Sequence, residues 1–330
     1  MEQILKEIPI TDIENIKIGH AQDYENATGC TVILCEKGAP TGVDVRGGGP
    51  ASRETELLNP VAGCQGIHGL LLSGGSAFGL DAAGGVMRYL EERGIGFQVG
   101  VTVVPLVCAS CLFDLALVNH RVRPDAAMAY RACEDAYRKS RGDSGCIGAG
   151  TGATVGKFHG QEYLMKSGLG CYALQVGELK VGAIVAVNAL GDVFDCDTGK
   201  KLAGMLNEEK TGFSDTETEF YKLYAGMNNL FTGNTTIGAI VTNGKFNKIQ
   251  MKKIAAMAHN GYARSIRPVH TTADGDSIYA MSVGEVEADL NVVGTLSSLV
   301  MARAVRAAVL AAEPMYGHPA AKDFLGQQER

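Results

Sequence analysis

Along the whole chain, short apolar runs punctuated by glycine-rich turns alternate with stretches of helical periodicity. GCTVILCE (29–36) and HGLLLSGG (68–75) read as early strands. LDAAGGVMRYLEERG (80–94) reads as a helix that closes on Arg93 and Gly94, the basic residue and glycine of a C-terminal cap. A second helix is predicted from about residue 124 to 139, and strands over 171–176 and 180–189. Residues 195–230, which contain KTGFSDTETEFYKL, are polar and read as an exposed loop followed by a short helix. The remainder reads strand 236–242, helix 247–264, strand 277–283 and helix 290–312. The last helix carries Val293, Leu296, Val300, Val305 and Val309 among apolar residues on most of its circumference, so it is expected to be buried, a subunit interface being one place for it.

The segment GNTTIGAIVTNGK (233–245) stands out within this pattern. Its second half is an ordinary buried strand ended by the turn formers Asn243 and Gly244, but neither periodicity nor turn chemistry calls for two threonines at the strand entrance. A threonine there can cap the strand locally, and Asn234-Thr235-Thr236 also matches a glycosylation acceptor, as does Asn26-Ala27-Thr28. The chemical reading is more specific. If the bond between Asn234 and Thr235 were cut, Thr235 would carry both a nucleophilic hydroxyl and a free α-amine, which titrates near about pH 8 and can serve as general base without a histidine.

Composition narrows the alternatives. No internal repeat, low-complexity linker or composition break divides residues 1–330, so a single layered α/β domain is expected, and 46% hydrophobic content can fill its core. A formal charge of -6 with no basic stripe excludes nucleic acid as the natural partner and leaves small molecules or peptides. The amino-terminal stretch lacks an apolar h-region and no run approaches a bilayer span, which points to a cytoplasmic protein with no membrane association. Nine cysteines, an odd number, read as reduced thiols. Cys108 and Cys111 in VCASC have redox or zinc spacing, but no second pair accompanies them and only His120 lies close in sequence, so buried small hydrophobes are the expectation.

Three glycine-rich stretches compete with the threonine as the functional element. RGGGPASRET (46–55) and GAGTGATVGK (148–157) could cradle an anion, yet Gly156-Lys157 lacks the earlier glycine of a Walker A loop and Phe158 replaces its Ser or Thr. They leave open a noncatalytic small-anion-binding protein. LLLSGGSAFG (70–79) is similar to a nucleophile elbow around Ser76, one residue too long for G-x-S-x-G, and leaves open a serine hydrolase.

The ordered set RGGGPASRET, LLSGGSAFGLDAA, GAGTGATVGK, KVGAIVAVNALGDV, GNTTIGAIVTN and DGDSIYAMS resembles the L-aminopeptidase/D-amidase-esterase family, the DmpA-like self-processing peptidases, from about residue 15 to 312. That family includes β-peptidyl aminopeptidases and a nylon-oligomer hydrolase branch. The resemblance implies a four-layer αββα sandwich of the DmpA type, like N-terminal-nucleophile hydrolases. It also implies self-cleavage between Asn234 and Thr235 into chains 1–234 and 235–330. Thr235 would be the nucleophile, Asn188 an oxyanion donor, Lys157 the lysine of the nylon-oligomer branch, and Asp274 and Asp276 the acids that hold the hydroxyl and amine. The implied activity is hydrolysis of amide or ester bonds in small peptides or amino-acid derivatives, with no cofactor and no metal. The implied assembly is a homo-oligomer, a tetramer of αβ units. The Cys108–Cys111 segment and the 207–220 loop depart from the family pattern and bear on substrate preference.

Overall fold

The computed structural model describes residues 4–140, 142–222 and 233–325. Two β-sheets lie face to face, each covered on its outside by helices. The first sheet runs, strand by strand, Lys6–Ile8, Leu169–Val176, Leu179–Asn188, Thr235–Gly244, Ser277–Val286 and Thr41–Val45. The second runs Lys17–Asp23, Thr28–Ala39, Ile67–Ser73, Val107–Cys111 and Ala51–Arg53.

Strand alternation assigns each side chain to one of three apolar interfaces. In Leu179–Asn188, Val181, Ala183, Val185 and Val187 meet the helices Lys248–Ser265 and Leu290–Leu310. Ile184 and Ala186 of the same strand join Ile237, Ala239 and Val241 in the layer between the sheets. On the far side, Val32, Leu34 and Leu71 pack beneath Ala83–Glu91 and Ala126–Arg138. The result is the expected αββα sandwich.

Local sequence sets the element ends. Asn247 and Gln250 form a reciprocal capping box at the start of Lys248–Ser265, and the Asp125 and Asp289 carboxylates cap the helices that follow them. Asn243 Oδ1 receives the Lys180 main-chain N–H at 2.7 Å, tying the far end of strand Thr235–Gly244 to its neighbour.

Several expectations change. The region predicted as helix 80–94 begins as a 3₁₀ segment, Ser76–Ala82, and is α-helical over Ala83–Glu91. The polar 195–230 stretch contains the short strand Lys201–Ala203 and a buried run through Leu206 before the helix Thr216–Lys222; its last residues, 223–230, lie outside the described residues. Asp192 organises this run, accepting hydrogen bonds from Lys201, Met205 and Thr216 in place of solvent. By length and composition, Leu290–Leu310 is apolar enough to cross a bilayer, contrary to the sequence expectation, and here most of it is buried against the strands of the first sheet.

Candidate active site

The two inner strands of the first sheet that meet at this end are antiparallel, and their last pair is Asn188 opposite Thr235. Both residues fall on the alternation that faces the second sheet, and both are buried. Thr235 therefore sits at the head of a strand hydrogen-bonded on both sides, against Leu179–Asn188 and Ser277–Val286. Its Oγ1 hydrogen-bonds to the carbonyl oxygen of Asn234. That same oxygen accepts the Gly275 main-chain N–H at 2.9 Å. A side chain at 275 would collide with the site, since a Cβ there would lie 2.8 Å from Thr235 Oγ1.

The DGD turn belongs to the segment that enters the neighbouring parallel strand. Asp276 Oδ1 accepts the Thr236 N–H at 2.8 Å, while Asp274 Oδ2 accepts from the Thr271 amide and hydroxyl at 2.8 and 2.6 Å. The first glycine-rich stretch explains itself here. Arg46 and Gly47 donate their main-chain N–H groups to the Asp276 carbonyl and Gly49 donates to that of Asp274. A Cβ at Gly47 would lie 2.3 Å from the Asp274 oxygen, so only glycine lets this loop lie against the turn. RGGGPASRET thus buttresses the acids.

Lys157 arrives from the other glycine-rich stretch, held in place by its own N–H on the Leu190 carbonyl at 3.1 Å. Its ammonium is buried and donates to Asn188 Oδ1 at 2.5 Å and to the Asn188 carbonyl at 3.1 Å. Burial pushes Lys157 down to about 7, opposed by the nearby carboxylates of Asp274 and Asp114. Asp274 is pushed up to about 6, by burial first and the Asp276 charge second, with Lys157 pulling the other way. Both groups lie within reach of a proton exchange near neutral pH.

Asn188 Oδ1 also accepts the Thr154 N–H at 3.1 Å, which orients the amide, and Nδ2 donates one hydrogen to the Phe113 carbonyl at 3.0 Å. Beside these groups opens a cavity of about 290 Å³ whose lining includes Phe113, Asp114, Leu117, Thr154, Lys157 and Gly233. Its walls combine apolar surface with the Asp114 carboxylate, which accepts from Thr28 Oγ1 and the Gly75 N–H at 2.7 Å each.

The model of peptidase family S58 matches residues 9–322. The chain belongs to peptidase family S58. It is 36% identical to an uncharacterised aminopeptidase of Mycobacterium leprae over 94% of this chain and 92% of that one. It is 30% identical to a 6-aminohexanoate-oligomer endohydrolase of an Agromyces species over 84% and 75% of the respective chains. Among solved structures, the L-aminopeptidase D-Ala-esterase/amidase of Ochrobactrum anthropi, described as a variant of the Ntn hydrolase fold, superposes with a TM-score of 0.71 at 18% identity, covering 94% of this chain and 88% of that chain. A β-aminopeptidase of a Burkholderia species superposes with a TM-score of 0.62, also at 18% identity, covering 92% and 86%. This S58 chain is accordingly an amide hydrolase with the N-terminal-nucleophile type of fold.

Within the S58 chain, all five residues singled out from sequence, Thr235, Asn188, Lys157, Asp274 and Asp276, gather at one end of the sandwich, as does Asn234. Ser76 opens a 3₁₀ segment at φ 53°, with its N–H on the Leu112 carbonyl, and among the described residues no base is hydrogen-bonded to its hydroxyl. VCASC is a strand of the second sheet, and Cys108 and Cys111, three apart, fall on opposite faces of it. They cannot share a metal or close a local bridge; burial raises both thiols well above the ordinary range. Sequence reading missed Gly275, whose amide holds the Asn234 carbonyl, and Asp114 in the cavity wall. It also missed His270, four residues before the DGD turn in VHTTADGD, a spacing that could have drawn attention to it.

Proposed function

We propose that this chain cuts itself between Asn234 and Thr235 and then hydrolyses small peptides or other linear amides through Thr235. The observation that carries the reading is the Asn234 carbonyl, gripped on its oxygen by the Gly275 amide with the Thr235 hydroxyl beside it. In the self-cleavage, Thr235 Oγ1 attacks the Asn234 carbonyl carbon, the peptide C–N bond breaks as its nitrogen takes a proton, and an ester joins the two residues. Water then hydrolyses the ester, leaving an Asn234 carboxylate and a free Thr235 amine.

In the mature site the same oxygen attacks the substrate carbonyl. The α-amine accepts the hydroxyl proton and passes it to the departing nitrogen, leaving an acyl-threonine for water to release. The second Nδ2 hydrogen of Asn188 is suited to the developing oxyanion, a contribution worth about 3 kcal/mol for a comparable donor. Lys157, lowered to about 7 and so about half charged at pH 7, fixes the Asn188 amide through Oδ1, and its charge disfavours protonation of the α-amine. The carboxylates of Asp274 and Asp276 orient the strand head. The cavity beside Lys157 receives the acyl portion of the substrate. Aminoacyl peptides and 6-aminohexanoate oligomers, after the names of an aminopeptidase and an oligomer endohydrolase among the relatives, are the first amides to try.

Intact mass of the purified protein should show two chains, 1–234 and 235–330. Thr235→Ala should give one chain with amide hydrolysis reduced at least about a thousandfold, and Thr235→Ser should keep part of both activities. A wild-type preparation that remains a single chain while turning over substrate would overturn the reading.

A further inference from the structure

His270 touches neither the candidate nucleophile nor the cavity lining, yet it is built into the support of the strand head that carries Thr235. Its main-chain N–H and its Nδ1 both reach Asp276 Oδ2, at 3.1 and 3.0 Å. An aspartate oxygen as partner fixes the proton on Nδ1, because the carboxylate only accepts. The other oxygen of Asp276 takes the Thr236 N–H at 2.8 Å. One carboxylate therefore bridges His270 to the first amide after Thr235.

The imidazole has no freedom to leave this arrangement. Its backbone is held at φ 62°, a left-handed conformation uncommon for a residue with a side chain. Its ring lies 4.8 Å, centre to centre, from that of His259 and 6.1 Å from that of Tyr262, both on helix Lys248–Ser265. His259 is itself anchored through Nε2 to the Asp44 carbonyl at 3.0 Å, and burial pushes it down to about 4, so it packs as a neutral ring at pH 7. Nε2 of His270 is buried and takes no hydrogen bond among the described residues. A structural histidine would be cheaper as an apolar residue in this setting; what the ring supplies is the Nδ1 donor.

We propose that His270 is a positioning residue for Thr235: by clamping Asp276 Oδ2 from behind, it aims Oδ1 at the Thr236 amide and so sets the direction in which the strand head presents the Thr235 nitrogen and hydroxyl. The inference rests on the Thr235 reading given above. Loss of the imidazole leaves the main-chain N–H alone on Oδ2, which loosens the carboxylate and misaligns the nucleophile, lowering the chemical rate and leaving the binding cavity intact.

Three variants separate the donor from the strained backbone. His270→Asn keeps a donor near the Nδ1 position and tolerates positive φ; His270→Gly relieves the backbone without a donor; His270→Ala does neither. Self-cleavage is followed by denaturing gel and intact mass, and turnover by kcat and KM on a 6-aminohexanoate dimer and on an aminoacyl anilide. Self-cleavage and kcat should fall about tenfold to a hundredfold in the Gly and Ala variants with KM within about twofold, and Asn should recover most of the loss. A Gly variant as fast as wild type, or a loss that Asn fails to rescue while melting at the wild-type temperature, would overturn the His270 role alone. A wild-type chain that never cleaves would overturn the Thr235 reading and this inference with it.

Discussion

Lys157 and Lys166 stand nine residues apart in sequence, both buried in the same end of the molecule, and they solve the same physical problem in opposite ways. Lys166 is caged by three main-chain oxygens, donating to Thr151, Ala153 and Ser167 at 3.1, 2.7 and 3.0 Å. All three ammonium hydrogens go to main-chain oxygens, and the only carboxylate acting on the group is that of Asp114, without a hydrogen bond among the described residues. Lys157 instead donates to one side-chain amide and one carbonyl, borders a cavity, and feels two carboxylates. Burial lowers both, Lys166 to about 8 and Lys157 to about 7. The difference teaches that burial alone does not mark a working charge: a lysine whose donors are exhausted by rigid backbone is a fastener, and one held by a reorientable side chain beside open volume can take part in chemistry.

The largest break in that comparison is expected from Lys166→Met. Three buried carbonyls lose their donor, so stability should fall by about 3 kcal/mol in chemical denaturation, while the fraction that folds should keep near-normal kcat. A folded, stable Lys166→Met protein without activity would erase the distinction. Lys157→Met should do the reverse. It should lower kcat about a hundredfold and slow self-cleavage, through loss of the group that fixes Asn188, with denaturation nearly unchanged. Full activity in that variant would remove Lys157 from the mechanism.

The finest discrimination comes from pH. A lysine lowered in the folded state binds fewer protons there than in the unfolded chain. Its burial therefore costs stability fully below the folded value, and the cost is relieved as pH rises toward 10.5. Wild-type stability should gain from Lys157 above about pH 7 and from Lys166 only above about pH 8. Between those two values, Lys157→Met should show a flatter stability curve than wild type. Asp274, raised to about 6, works in the opposite direction and in a separate window, adding stability below about pH 4 that is lost by pH 6. Identical slopes for Lys157→Met and wild type between pH 7 and 8 would contradict the assignment.

What the sequence disclosed follows from the same physics. Strand Leu179–Asn188 was legible because a strand covered on both faces is a continuous apolar run, and the amphipathic helix Ala126–Arg138 because one face alone is buried. Strands Lys17–Asp23, Thr41–Val45 and Ala51–Arg53 were not: all three are sheet edges, the first is polar, and the other two are short and owe their conformation to partners far along the chain. The site shows the same split. Thr235 could be suspected from its surplus hydroxyls, whereas the burial of Lys157 could not, because a charged side chain after a glycine turn reads as solvated. Asp276 reaches the strand head only through parallel pairing of Thr235–Gly244 with Ser277–Val286, a long-range register that no local pattern encodes. His270 was hidden one step further back, acting on an acid and not on the nucleophile.

Were the chain cut before Thr235, as proposed, the place of that residue in the sheet would order events in time. Residues after 234 furnish two interior strands of the first sheet, Thr235–Gly244 and Ser277–Val286, and both helices that cover it, Lys248–Ser265 and Leu290–Leu310. The preceding residues alone would leave Leu179–Asn188 paired on one side only and Thr41–Val45 stranded on the far side of a gap. Cleavage as proposed here would therefore follow assembly of the sandwich, and the two pieces, once made, would be as inseparable as neighbouring staves in a closed cask. Scission would then act as a certificate of completed folding, issued by the molecule to itself.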